Sequence, residues 1–244
     1  MLKGLPLFLG LISLPSIWAQ NIAPPSGETL YYNVEWRLIT GGKAKVQWRR
    51  ERAGWQVNVH LESIGLVSKL FRVDDDYSAN LSNALCAESS QFLSHEGNRV
   101  RETKITFDSA AQKAIYVETD RLKNAVVTSK ETEIPPCVHD VAGGLYFMRT
   151  LNLEPGQSAT EAVSDGKKSV TAKVEAQARE DIKTPEGVFH TIRYEAYLFN
   201  GVLYKRPAHL NVWLTDDARK LPVQIRVRMS IAVGTITLLL EKHE

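Results

Sequence analysis

The sequence predicts a mainly all-β protein, built as one large curved antiparallel sheet or incomplete barrel with one main helix packed against it. Three observations carry this expectation. Apolar and polar residues alternate with period two through most of the 244 residues, which is the pattern of strands that bury one face. Short breaks containing Gly, Pro and Asn recur between these runs, as hairpin turns require. Only residues 138–151 hold a convincing helical spacing of apolar side chains.

The first residues read as an export signal. Lys3 precedes an apolar run over residues 5–18 and then the small residue Ala19. Residues 1–19 therefore read as a signal peptide and residues 20–244 as a single β-rich domain, exported to the periplasm or beyond the cell. Pro6, Pro15 and the shortness of the run argue against a membrane anchor, which needs about 20 apolar residues. The cleavage point has no neighbouring cysteine to carry a lipid.

Past Pro24 and Pro25, Leu30, Tyr32, Val34, Trp36 and Leu38 alternate with Tyr31, Asn33, Glu35 and Arg37. Gly41 and Gly42 are expected to form a tight turn into a second strand, with Ala44, Val46 and Trp48 on one face. A third strand follows, with Trp55, Val57, Val59 and Leu61 aligned, so the three make a meander with one apolar side. Residues 64–71 break the alternation, and Leu66, Val67, Leu70 and Phe71 fit one side of a short helix or turn.

Strands are expected to resume at 72–79, 84–94, 99–108, 113–118 and 123–133, ending at Pro135 and Pro136. The main helix has Asp140 near its start and Val141, Leu145, Met148 and Leu151 along one side. After Pro155 and Gly156, Val170, Ala172, Val174, Ala176 and Ala178 alternate with polar residues, and strands at 188–199, 204–214, 221–231 and 234–241 follow. In the 221–231 stretch Val223, Ile225 and Val227 oppose Gln224, Arg226 and Arg228 over a length of about 35 Å. A strand that long belongs in a curved sheet, because a flat exposed edge would invite aggregation. The last two strands are expected to be antiparallel neighbours.

Cys86 and Cys137 are the two cysteines of the chain. In an exported protein they are expected to pair as a disulfide, constraining the unfolded chain by roughly 4 kcal/mol. The sharper alternative, a metal site from Cys137, His139 and Asp140, lacks the second spaced pair of a zinc signature. The six histidines have neither helical nor strand spacing for a shared metal. Asp74, Asp75 and Asp76 lack the spaced ligands and glycine of a calcium loop, and read as a solvated strand end with Asp74 and Asp76 on one face. Asp216, Asp217 and Arg219 read as a turn.

Neither a nucleophile elbow nor a phosphate-binding glycine motif occurs, so no catalytic residue, metal or cofactor is assigned, and a hydrolase with a scattered site is the residual enzyme reading. With 30 basic and 28 acidic residues and a net charge of +2, nothing favours a nucleic-acid partner. The longest later apolar stretch, residues 231–240, is too short to cross a bilayer, so no transmembrane segment is expected in the mature chain.

Four motifs together resemble a family of exported bacterial proteins, domain of unknown function 3108. They are GETLYYNVEW (27–36) with its Gly41-Gly42 turn, DVAGGLYFMR (140–149), TPEGVFHTIR (184–193) and VWLTDDARKLPVQIRVRMSIAVGTITLLL (212–240). The helix motif departs from the family pattern, where a serine is expected at Gly143 or Gly144. The resemblance implies an envelope location and a β-rich fold, and brings no activity, ligand or catalytic residue with it.

Tyr32, Trp36, Trp48 and Trp55 share the apolar phase of the first three strands. They are either plain core or the lining of a concavity for a lipid or other apolar small molecule, with Trp48 as the indole expected to stay reachable beside Lys43, Lys45, Arg49 and Arg50. The leading expectation from sequence is a non-catalytic cell-envelope protein binding such a ligand. The alternative is a structural or interaction module whose sheet docks an envelope protein.

Overall fold

The computed structural model describes residues 27–36, 39–230 and 234–244; the expected signal peptide lies outside them. The first half of the chain runs through β1 (Gly27–Trp36), β2 (Ile39–Arg50), β3 (Gly54–Ser63), the short helix α1 (Gly65–Leu70), β4 (Asp74–Ser82), β5 (Ala87–Glu96), β6 (Arg99–Asp108), β7 (Lys113–Asp120) and β8 (Ala125–Glu133). Helix α2 (Val141–Thr150) then leads into β9 (Ser158–Ser164), β10 (Ser169–Thr184), β11 (Gly187–Ala196), β12 (Ala208–Thr215), β13 (Pro222–Met229) and β14 (Thr235–His243). All fourteen strands form one antiparallel sheet in the order β8-β7-β6-β5-β4-β3-β2-β1-β14-β13-β12-β11-β10-β9. Two meanders are thus welded at the centre by the pairing of the first and last strands, Tyr32 opposite Leu240 and Val34 opposite Leu238.

The sheet curls until its edge regions meet. The β9–β10 turn reaches the β6–β8 side, where Thr132 donates a hydrogen bond to the Lys167 carbonyl at 3.1 Å and the Lys167 ammonium stands 4.3 Å from the Tyr116 ring centre. Gly166 adopts φ +79° there, and a Cβ on it would lie 2.8 Å from Ile105, so only glycine allows this approach. The segment after β8 completes the seam: His139 bridges to Val163 of β9, while the Ala87 amide donates to the Val138 carbonyl. The result is the incomplete barrel expected from the long alternating strands.

Helix α2 occupies the concave side. Asp140 caps it, its carboxylate accepting from the Gly143 amide at 2.7 Å, as an N-terminal aspartate does for an otherwise orphaned donor. Tyr146 enters a core with Trp48, Trp55, Val57 and Leu81 on the first meander. Met148 enters a second core with Val174, Ile192, Tyr194 and Leu214 on the other. One helix therefore closes both halves. It begins at Val141 rather than residue 138, and Val141 is exposed rather than on the buried side.

Other expectations shift for local reasons. Gly41 and Gly42 lie inside β2, and the β1–β2 connection falls at residues 37–38, outside the described residues. Glycine is needed at 42 for close packing, since a Cβ there would lie 2.7 Å from the Glu62 carbonyl oxygen. Trp36, at the end of β1, emerges at 42% exposure instead of facing the core, and the extra residue of the β1–β2 irregularity, Gly41, lies in β2. Strand β9 is absent from the sequence reading because SATEAVS has little apolar alternation. The expected strand at 221–231 is described over Pro222–Met229; its pairing with β14 is antiparallel, with Ile225 opposite Leu238.

Candidate functional site

Among the four aromatic residues singled out from sequence, Tyr32, Trp48 and Trp55 are buried and Trp36 stands apart at the sheet rim. Trp48 is 0% exposed. Its indole is stacked between Trp55, at 4.8 Å between ring centres, and Tyr146 of α2, at 3.7 Å and 7°. The expectation that Trp48 stays reachable by an apolar probe is therefore not met: the helix supplies the group that fills the space beside it. Lys43 and Lys45 lie on the opposite, outward face of β2, where Lys43 pairs with Glu241 at 2.6 Å.

Beside this stack is a polar node that the sequence reading missed. Arg149, 5% exposed, projects from α2 into the interior and pairs through both terminal nitrogens with Glu28 of β1. Its Nη2 also donates to the Arg219 carbonyl at 3.1 Å, and the Tyr146 hydroxyl donates to Glu28 at 2.8 Å. Tyr32 completes the group by donating to the Pro222 carbonyl at 2.7 Å. Burial works against the Arg149 charge, and the Glu28 carboxylate outweighs it, holding the guanidinium above its usual range. Three of the quoted motifs meet here: GETLYY supplies Glu28 and Tyr32, DVAGGLYFMR supplies Tyr146 and Arg149, and the DDARKLP turn supplies two carbonyls. The arrangement fixes the helix to β1 and to the β12–β13 turn. The signal that could have revealed it is Arg149 one position after Met148, a charge within the apolar side of a helix.

A second buried group lies on the other side of α2. Glu161 of β9 is 8% exposed, and its Oε2 has no hydrogen-bond partner. Burial alone pushes its carboxyl up to about 8, because the charged form is poorly solvated there. Gly144 faces it: a Cβ at that position would sit 3.6 Å from both carboxylate oxygens. Gly143 has no such room, its Cβ site lying 2.7 Å from the Asp140 carboxylate and 3.2 Å from Leu81. A serine hydroxyl at 144, but not at 143, would therefore meet Glu161.

The candidate metal ligands do not assemble as the alternatives from sequence require. Cys137 is bonded to Cys86, with Cα atoms 5.1 Å apart. The His139 Nδ1 faces the Leu85 carbonyl at 2.8 Å, and Asp140 is taken up by Gly143 and by the Tyr77 hydroxyl. Asp74 and Asp76 do share a face with His60, their ligand atoms within 4.8 Å, while Asp75 points inward and accepts from the His95 amide. Asp76 is paired with His60 at 2.9 Å and Asp74 with Arg72 at 3.0 Å, so side chains of the protein already answer both carboxylates. Asp217 accepts from Arg219 and Thr215 as a turn residue.

Two hollows lie on the outer surface. One, of about 310 Å³, is lined by Lys45, Gln47, Asn58, His60, Asp76 and Gln91; the other, of about 550 Å³, by Arg179, Glu180, Asp181, His190 and Asp216. Both are open to solvent and mixed in lining, the first including Val59, Tyr77 and Leu93 beside its polar groups. They lack the apolar enclosure of a small-molecule site. No described helix is long and apolar enough to cross a membrane, and the outward strand positions Lys43, Gln47, Asn58, His60 and Asp76 would face hydrocarbon badly in a membrane barrel.

A β-barrel-like protein of domain of unknown function DUF1849 from Brucella abortus is similar in fold, with a TM-score of 0.58 at 7% identity over 91% of this chain and 98% of that one. A protein described as exported, with a YmcC-like fold, from Bacteroides fragilis aligns at 12% identity over 91% and 97% of the two chains with a TM-score of 0.34. A protein described as a lipoprotein from Parabacteroides distasonis aligns at 10% identity over 91% and 98%, with a TM-score of 0.33. No curated protein matches the chain. The sequence profile of the proteins of unknown function DUF3108 matches residues 31–241, and the chain belongs to that family.

Proposed function

We propose that this protein is a non-catalytic component of the cell envelope that acts through its outer surface, as an interaction module, rather than by enclosing a ligand. The observation that carries this reading is the occupied interior. The Tyr146 ring lies 3.7 Å from Trp48, Met148 fills the facing meander, and the Arg149–Glu28 pair locks the helix in place. A lipid in the concavity would have to displace all three, leaving a buried guanidinium and carboxylate unpaired at several kcal/mol. The Cys86–Cys137 bond supports an oxidising compartment.

The test is a titration of the purified protein with fatty acid and lysophospholipid, followed by tryptophan fluorescence, alongside mass spectrometry of whatever co-purifies. The expected outcome is no saturable fluorescence change and no stoichiometric apolar molecule. A ligand present at one per chain, lost in a folded Trp48→Ala variant, would restore the internal-pocket reading.

A further inference from the structure

In an antiparallel meander, alternate connections fall on the same rim of the sheet. The connections β1–β2, β3–β4, β5–β6 and β7–β8 share one rim, and their strands are successive neighbours. Among the described residues eleven large apolar side chains are exposed, and eight of them belong to this rim. Trp36 and Ile39 flank the first connection. Leu66, Leu70 and Phe71, at 71, 76 and 53% exposure, come from α1 and its end. Leu122, Val126 and Val127 belong to the β7–β8 tip.

The first two groups are continuous with each other and with the next turn. Val67 would be 2.8 Å from a Cβ on Gly41, and Phe71 would be 3.2 Å from one on Gly97. Helix α1 buries no side chain, so its apolar residues do not serve the core. Such a concentration of exposed apolar side chains marks a surface that meets something else.

Charge says what. The same connections carry Lys69, Arg72, Arg99, Arg121 and Lys123. Arg72 pairs with Asp74 and Arg121 with Glu102, whereas Lys69, Arg99 and Lys123 make no ion pair with a described residue. Among the described residues the connecting segments themselves hold no carboxylate; Glu96 ends β5, and Glu35 and Glu62 lie one residue inside the ends of β1 and β3. The connections of the opposite rim are mixed in sign: Glu51, Glu154, Glu186, Asp216 and Asp217 are exposed there beside Arg52 and Arg219, and all of these acids but Glu51 are paired within the protein.

We propose that this rim docks on a lipid bilayer bearing anionic headgroups; this deepens the surface-acting reading above and rests on it. Apolar side chains on separate hairpin ends, interleaved with lysine and arginine, suit a fluid interface into which each tip dips. Each cation near such a surface adds about 1 kcal/mol. Trp36 has the indole favoured at headgroup depth. A protein partner would ask instead for a shape-matched apolar core depleted of charge.

The test is co-sedimentation of the exported form with vesicles of phosphatidylcholine alone and of phosphatidylcholine with phosphatidylglycerol. Binding is expected to the anionic vesicles, weakening as salt rises, and to fall at least about tenfold in a Leu66→Asp/Leu70→Asp variant and in a Lys69→Glu/Lys123→Glu variant. Both variants are expected to keep the wild-type thermal transition, since none of the four side chains is buried. Absence of wild-type binding to either vesicle overturns the proposal, as does undiminished binding by the folded variants. So does a stoichiometric protein partner that both variants lose while vesicles are ignored. Vesicle failure alone leaves the surface-acting reading intact, whereas a stoichiometric internal ligand removes that reading whatever the vesicles show.

Discussion

Glu161 is the residue whose environment most clearly links stability to pH. Its carboxyl titrates near 8 in the folded protein, against about 4.3 in an exposed glutamate. The folded state thus holds the proton more tightly, so the contribution is whole below the unfolded value and is lost as pH rises through 8. The loss is on the order of 5 kcal/mol. Asp75, pushed up to about 6 chiefly by burial, acts in the same direction over a lower range. Glu161→Gln, neutral at every pH, is expected to match the wild type near pH 4 in urea denaturation and to exceed it by a few kcal/mol above pH 8. Gly144→Ser, which places a hydroxyl against the carboxylate, is expected to recover part of that loss. Equal pH slopes for wild type and Glu161→Gln would mean that water reaches the group. None of this was legible in sequence, because a glutamate in SATEAVS looks like any outward strand residue until α2 covers it.

Strand β13 tests the period-two reading at the scale of an element. Ile225 packs against the core of the second meander, while Arg226 faces outward with its guanidinium 5.0 Å from the Trp213 ring centre. Ile225→Asp is expected to cost several kcal/mol, since it removes apolar burial and desolvates a charge. Arg226→Asp is expected to cost about 1 kcal/mol, the value of one cation–π contact. Chemical denaturation of the two variants checks this, and equal losses would show that the outer face is as closed as the inner one. Helix α2 was legible as an amphipathic segment but not as a plug. Its buried side includes Gly143, Gly144 and Arg149, so the closeness of its packing is written in residues that hydropathy does not count.

Across the whole molecule, the Cys86–Cys137 bond links the β4–β5 connection to the segment that leads into α2. It therefore fastens the first meander to the plug that the second meander shares. Thiol titration of the denatured, unreduced protein is expected to find no free cysteine. Replacing both cysteines with serine is expected to cost about 2–5 kcal/mol while leaving a single cooperative transition, because α2 and the β1–β14 pairing hold the halves together by other means. Two separate transitions in the variant would show that the covalent link, rather than the helix, makes the molecule one unit.

The periodicity of most strands and the cysteine pair were determined by the sequence alone, because each depends on neighbours within a few residues or on there being one possible partner, whereas the Gly41-Gly42 turn and strand β9 were not. That is why an all-β curved sheet with a single capped helix was readable before any coordinates. What the tertiary structure decided was the inside. Whether Trp48 lines a pocket or fills a core depends on where a helix about a hundred residues later comes to rest, and Arg149 was free to be a surface charge until Glu28 met it. The exposed rim was decided in the same way. Leu66, Leu70 and Phe71 have the same hydropathy whether they are covered or bare, and only the folded chain shows that nothing within the described residues covers them.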